Sequence, residues 1–201
     1  MPNHGMLPPV VLASTSPRRR ELMREVVERF EVVDGRATEL EGALLGPRAL
    51  CEANARIKAW AVARDRPESL VIGADTLVFL DDEPLGKPRD LGAARAMLRR
   101  LSGRVHVVIT GVCLVHRQAG RMTCLAEATH VRFKGYGEDV VEAYVREVPV
   151  LDKAGSYALQ THGDWLVETV EGSRSNVVGL PVERLREVLA GWGEELSLIH
   201  I

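Results

Sequence analysis

The segment Leu12-Ala13-Ser14-Thr15-Ser16-Pro17-Arg18-Arg19-Arg20 breaks a short apolar run into a helix start loaded with positive charge. Ser16 suits an N-cap and Pro17 the first helical position. Three arginines follow in the first turn, where the helix dipole is already positive. Each should cost about 0.3–1 kcal/mol unless an anion lies opposite. Backbone N–H groups at a helix start, beside serine hydroxyls and guanidinium forks, describe a phosphate cradle. A solvated basic helix start is the alternative.

Asp75 stands inside Leu70–Leu80, an otherwise apolar run with strand character. An unpaired buried carboxylate costs several kcal/mol, so this aspartate needs a metal, a cation or hydrogen-bond donors. It reads either as a structurally paired aspartate or as a metal ligand or base at a strand end. Leu85-Gly86-Lys87-Pro88 follows the Asp81-Asp82-Glu83 turn and returns a lysine toward the same region. It is not a Walker A loop: Asp81 occupies the required glycine position and Pro88 that of the magnesium-binding hydroxyl. A lysine on a Gly-Lys-Pro corner still offers a point charge to phosphate.

Other polar residues carry weaker signals. Glu39 closes the irregular segment Asp34–Thr38 and reads as surface, and Lys58 on an amphipathic helix reads as solvated. His106 and Thr110 fall in an apolar strand, where buried, satisfied polar groups are expected. Gln160 precedes a loop, and its amide offers both a donor and an acceptor to a base edge. The chain has no GxSxG elbow, no HExxH and no GxGxxG opening a helix after a strand. What remains is a magnesium-type oxygen site beside a cluster of cations, the equipment of phosphoryl or nucleotidyl chemistry.

The elements that must position these residues alternate between strand and helix. Strands are expected at 10–13, about 30–33, 70–80, 105–116, 122–133 and 165–170. Helices are expected at about 17–28, 47–64, 91–101, about 138–146 and from 181 to about 190. Leu50, Ala53, Ile57, Trp60 and Ala61 recur at helical spacing in the second of these. The Gln118-Ala119-Gly120 turn joins two strands as a hairpin. Hairpins together with crossover helices predict an α/β chain with a mixed sheet. The apolar tail 196–201 fits no element.

Composition sets outer bounds. The 201 residues are 46% hydrophobic and 27% charged, with a net charge of −2 and no basic tail. Any anion site is therefore local, and no nucleic-acid or membrane partner is expected. Cys51, Cys113 and Cys124 lack CxxC spacing, so neither a disulfide framework nor zinc is indicated. No apolar stretch reaches ~18 residues and no basic-then-apolar leader is seen, so a cytoplasmic protein is expected.

Six segments, taken in order, resemble the Maf nucleotide pyrophosphatases. They are Leu12 through Leu22, Gly73-Ala74-Asp75-Thr76, Leu85-Gly86-Lys87-Pro88 and Leu101-Ser102-Gly103. The last two are Asp152-Lys153-Ala154-Gly155-Ser156-Tyr157 with Gln160, and Asn176-Val177-Val178-Gly179-Leu180-Pro181. The match runs from about residue 9 to 190. It implies an N-terminal extension at 1–9, one domain at 10–190 and a tail at 191–201. The implied fold is α/β, with a mixed twisted sheet and two lobes around a deep cleft, related to the inosine triphosphate pyrophosphatases.

The resemblance further implies hydrolysis of a nucleoside triphosphate between its α and β phosphates, with a divalent cation (magnesium, manganese or cobalt), in a homodimer. Ser14, Ser16 and Arg18, supported by Arg19, would hold phosphate oxygens. Glu39, Lys58, Asp75 and Lys87 would form the metal and catalytic cluster, with Asp75 and Glu39 as metal ligands and Asp75 as proton acceptor. Thr76 and Gln160 resemble the branch acting on dTTP and UTP, which removes modified pyrimidine nucleotides before they enter nucleic acid. That family is also linked to arrest of septum formation. Thr161 and His162 depart from the glycine usual after Gln160, a change that would narrow or re-aim the base pocket. The competing readings are a pyrophosphatase for 7-methyl-GTP or inosine triphosphate, and a non-catalytic nucleotide-binding division regulator.

Overall fold

The apolar run Val10–Ala13 forms strand β1, and Ser16 caps helix α1 (Pro17–Arg24), its hydroxyl facing the Arg19 N–H at 3.5 Å. The coordinates are a computed structural model and describe residues 7–40 and 45–198. Strand β2 (Glu31–Val33), helix α2 (Pro47–Ala63) and strand β3 (Leu70–Leu80) complete the first half. Strand β4 (Glu83–Leu85) folds back on β3, followed by helix α3 (Leu91–Leu101), capped by Asp90. The hairpin β5 (Val105–His116) and β6 (Arg121–Phe133) leads to helix α4 (Glu138–Glu147). Two 3-10 turns at Val150–Asp152 and Ala154–Ser156 precede the short helix α5 (Gly163–Leu166) and strand β7 (Val167–Glu171). Helices α6 (Arg174–Val178) and α7 (Val182–Leu198) close the fold.

The strands make one seven-stranded sheet in the order β2-β1-β3-β5-β6-β7, with β4 pairing β3. β2, β1 and β3 run parallel, while β3, β5, β6 and β7 alternate antiparallel, so the sheet is mixed as expected.

Strand alternation sorts β3 onto two faces. Leu70, Ile72 and Ala74 pack with Leu12, Met23, Leu180 and Trp192 against α1 and α7. Val71 packs with Ala55 and Ala59 of α2. The far end of β3, Val78 and Leu80, joins a separate core with α3, α4, Phe133 and Tyr157. Asp75 and Thr76 fall at the junction of these cores, on opposite faces of one strand.

Two glycines set the depth of α2. A Cβ on Gly73 would lie 2.3 Å from the Ala55 carbonyl oxygen, and one on Gly111 would lie 2.2 Å from that of Cys51. Asp75 and Gly111 are register partners across β3 and β5. The missing side chains let α2 sit against the sheet beside Asp75, which brings its polar residues within reach of that carboxylate.

Several elements differ from expectation. α1 ends at Arg24 rather than near 28, because the β-branched pair Val26 and Val27 turns inward onto the core. The segment expected as a strand at 165–170 begins as α5 and becomes β7 only at Val167. α7 runs to Leu198, past the limit near 190 and into the expected tail. Gly191 and Gly193 weaken a helix, but Trp192 is buried, donates to Thr123 Oγ1 at 3.2 Å and carries Arg121 over its ring. Residues 199–201 of that tail lie outside the described residues. So do residues 1–6 of the expected extension, whereas Leu7 packs on the core and the Pro9 carbonyl accepts from Leu70 N–H. Among the described residues, no helix is long and apolar enough to cross a membrane.

Candidate functional site

A cleft of about 890 Å³ opens where the β1–α1 turn, one face of α2 (Leu50, Asn54 and Lys58), the middle of β3 and the 152–160 segment meet. Its lining brings together every residue to which the resemblance assigns a site role: Ser14, Ser16, Arg18, Arg19, Glu39, Lys58, Asp75, Thr76, Lys87 and Gln160. They come from elements spread over most of the chain, so the sheet and its crossovers, not local sequence, assemble them.

Lys58 is the hub of the cleft floor. Its ammonium lies 2.7 Å from Asp75 Oδ1 and 2.8 Å from Glu39 Oε1. The Asp75 side chain is 5% exposed, so its charge is offset by this cation rather than by water. Asp75 Oδ2 accepts from Asn54 Nδ2 at 3.2 Å. Lys58, expected as solvated, is thus one of the best-enclosed charges in the cleft, and Glu39, half exposed, reaches in to share it.

The opposite wall is the start of α1. Ser14 Oγ accepts from the Ser16 N–H at 3.3 Å, which shapes the turn. Arg18 and Arg19 part company there. Arg18 is one-third exposed and meets Asp152 at 3.3 Å, leaving most of its donors open to the cleft. Arg19 Nε donates to the Gly179 carbonyl at 2.9 Å, Nη2 to Thr76 Oγ1 at 2.9 Å, and Nη1 reaches Ser14 Oγ at 3.5 Å. Burial lowers the Arg19 pKa from its ordinary value, against the pull of Asp75 and Glu39. Arg20 is exposed on the outer side of α1.

Thr76 belongs to the same network. Its hydroxyl pairs with Thr110 Oγ1 at 2.9 Å, and Thr110 in turn donates to the Asn176 carbonyl at 3.0 Å. Thr110 is therefore a buried, satisfied polar group, as expected. His106 is paired through Nε2 with Tyr157 Oη at 2.8 Å, and burial pushes its pKa down to about 3. Lys87, delivered by the β4 return, is exposed on the cleft rim and makes no ion pair among the described residues.

Gln160 reaches the cleft, but Thr161 and His162 do not line it. His162 adopts a left-handed conformation at φ 51° and packs on Trp165, while the Thr161 carbonyl accepts from Tyr144 Oη at 3.2 Å. The departure from glycine is accommodated outside the cavity.

Sequence reasoning missed Asn54 and Lys153. Asn54 looks like an ordinary polar helix residue, yet it is buried against Asp75. Lys153, also buried, bonds the Pro149 carbonyl and Asp152 at 2.5 Å each, so it fixes the acidic partner of Arg18. The Asp152 carboxyl stays below its ordinary pKa; burial alone would raise it, and Lys153 and Arg18 outweigh that.

The donor set suits a hard divalent cation. Two carboxylates already converge on one positive charge, the Lys58 ammonium, and oxygen ligands are those that magnesium and manganese take. No group of three or more metal-ligating side chains occurs among the described residues. A cation here would complete its shell with water and phosphate oxygens, as magnesium does in nucleotide sites.

A family model described as Maf-like protein matches residues 9–192. A dTTP/UTP pyrophosphatase of Akkermansia muciniphila is 48% identical over 188 residues, covering 94% of this chain and 98% of that protein. A dTTP/UTP pyrophosphatase of Moorella thermoacetica is 44% identical over 187 residues, with 93% and 96% covered. The Staphylococcus aureus Ham1 structure has the same fold at a TM-score of 0.55 and 18% identity, covering 90% of this chain and 98% of that one.

Proposed function

This chain belongs to the family of Maf-like proteins, and from that premise we propose that it hydrolyses dTTP and UTP to the monophosphate and pyrophosphate. The observation that carries the chemistry is the Lys58 ammonium held between Asp75 and Glu39 at the floor of a cleft whose opposite wall is a cationic helix start. One wall suits polyanion binding and the other suits activation of water.

In this reading the Ser14 and Ser16 hydroxyls, the α1 N–H groups and Arg18 hold phosphate oxygens. Arg19 keeps the turn in shape through Gly179 and Thr76 rather than spending its donors on substrate. Asp75 takes a proton from water as the water oxygen bonds to the α-phosphorus. The bond from that phosphorus to the bridging oxygen breaks, and pyrophosphate leaves with the electron pair. Lys87, which makes no ion pair among the described residues, neutralises charge gathering on the leaving group. A divalent cation held by Asp75 and Glu39 would supply further charge neutralisation on the phosphate oxygens. Gln160, on the rim beside Leu159 and Ala158, offers its amide to the pyrimidine edge.

Hydrolysis of dTTP in ¹⁸O-labelled water tests the reaction type. Attack at the α-phosphorus puts the label in dTMP and leaves pyrophosphate unlabelled. Label in pyrophosphate, or release of orthophosphate, would refute it.

A further inference from the structure

Asn54 is 1% exposed and spends its whole carboxamide on the cleft floor. Oδ1 accepts the Leu40 N–H at 2.7 Å, while Nδ2 donates to the Leu40 carbonyl at 3.1 Å and to Asp75 Oδ2 at 3.2 Å. A neighbouring strand would offer a backbone the same donor and acceptor pair. One side chain therefore does the work of a strand for a stretch that has none, since 34–40 forms no regular element.

The residue held in this way adjoins Glu39. Lys58, one helical turn along α2 from Asn54, bridges Glu39 and Asp75 directly. Two connections between the 34–40 segment and Asp75 thus run through α2, one ionic and one through hydrogen bonds. The ionic one is held by an ammonium that a divalent cation between the same carboxylates would have to share or displace. The Asn54 bonds involve main chain and Asp75 Oδ2, and none of them uses the ammonium.

Resting on the reading of Glu39 and Asp75 as carboxylates that share a cation, we propose that Asn54 is a positioning residue. It fixes the Glu39–Asp75 separation by tying the Leu40 main chain to the carboxylate that Lys58 grips. Aspartate cannot replace it. An aspartate keeps the acceptor for the Leu40 N–H, loses both donations, and sets a second carboxylate against Asp75 Oδ2. Like charges there repel.

The test compares the wild type with Asn54→Leu and Asn54→Asp. It reads amide hydrogen exchange at Leu40 and Mn²⁺ binding by electron paramagnetic resonance beside a dTTP analogue with a non-hydrolysable α–β bridge. Asn54→Leu should keep cooperative melting, lose protection at Leu40, and bind Mn²⁺ about 10- to 100-fold more weakly. Its affinity for the analogue without metal should be unchanged. Asn54→Asp, which retains the acceptor, should keep the Leu40 N–H protected. Wild-type Mn²⁺ affinity and Leu40 protection in Asn54→Leu would overturn the proposal. If Asn54→Leu does not fold, Asn54→Ala takes its place, and wild-type Leu40 protection and Mn²⁺ affinity there would do so. A wild type that releases no pyrophosphate would refute the functional reading instead, leaving exchange and Mn²⁺ binding to decide the role of Asn54.

Discussion

The Lys58 ammonium lies 2.7 Å from the Asp75 carboxylate, on the cleft floor, with both side chains largely withdrawn from water. That pair explains how an aspartate survives in the middle of an apolar strand. It also gives the cleft a charged centre whose removal should be felt in chemistry before it is felt in folding.

Asp75→Asn removes the proton acceptor while keeping a side chain of the same shape, and Lys58 retains Glu39 at 2.8 Å. Pyrophosphate release should fall by about 100- to 10,000-fold. Melting followed by circular dichroism should stay cooperative. An Asp75→Asn protein with undiminished turnover contradicts the assignment.

Arg18 and Arg19 should separate cleanly. Arg18→Ala breaks one partly exposed ion pair with Asp152 and should change stability by no more than about 0.5 kcal/mol. It should also abolish most of the thermal stabilisation that nucleotide confers. Arg19→Ala strips donors from the Gly179 carbonyl and Thr76, and should cost about 1–3 kcal/mol even without nucleotide. Urea melts with and without a non-hydrolysable dTTP analogue distinguish the two.

His106 makes stability depend on pH. Burial holds its folded pKa near 3, against 6.5 for the free side chain. Between those values the unfolded chain takes up a proton that the folded chain refuses, so stability falls as pH drops below 6.5, and the loss is complete near pH 3. At pH 5 this site should cost about 2 kcal/mol relative to pH 7. His106→Gln, which does not titrate, should flatten the stability profile by about that amount in urea melts. Parallel profiles would show that His106 does not carry the effect.

Gly111→Ala should cost at least about 2 kcal/mol or prevent folding, because its Cβ would meet the Cys51 backbone. Gly191→Ala, with open space around it in α7, should stabilise by up to about 1 kcal/mol. Thermal melts of the two variants test whether the close approach of α2, rather than helix propensity alone, dominates.

Asp75 was legible because a carboxylate in an apolar run violates the local pattern, and the arginine-rich start of α1 was legible because it violates the helix dipole. α2 and α3 follow from helical periodicity to within a residue or so. Asn54 and Lys58 gave no such signal: each looks like an ordinary solvated helix residue, and only the crossover that lays α2 on β3 shows them to be enclosed. α6, five residues long, is too short to carry a period, and its Ser173 cap is visible only once Asn176 is seen donating to it. The strand expected at 165–170 starts late because α5 is a single turn set by the left-handed His162 and the packing of its ring on Trp165.

The most direct measurement is a panel of nucleoside triphosphates incubated with the wild-type protein and magnesium, manganese or cobalt, read as pyrophosphate and monophosphate. The account predicts that dTTP and UTP are turned over ahead of ATP, GTP, 7-methyl-GTP and inosine triphosphate, with one pyrophosphate formed per monophosphate. Preference for a purine, release of orthophosphate, or no turnover with any cation would contradict it.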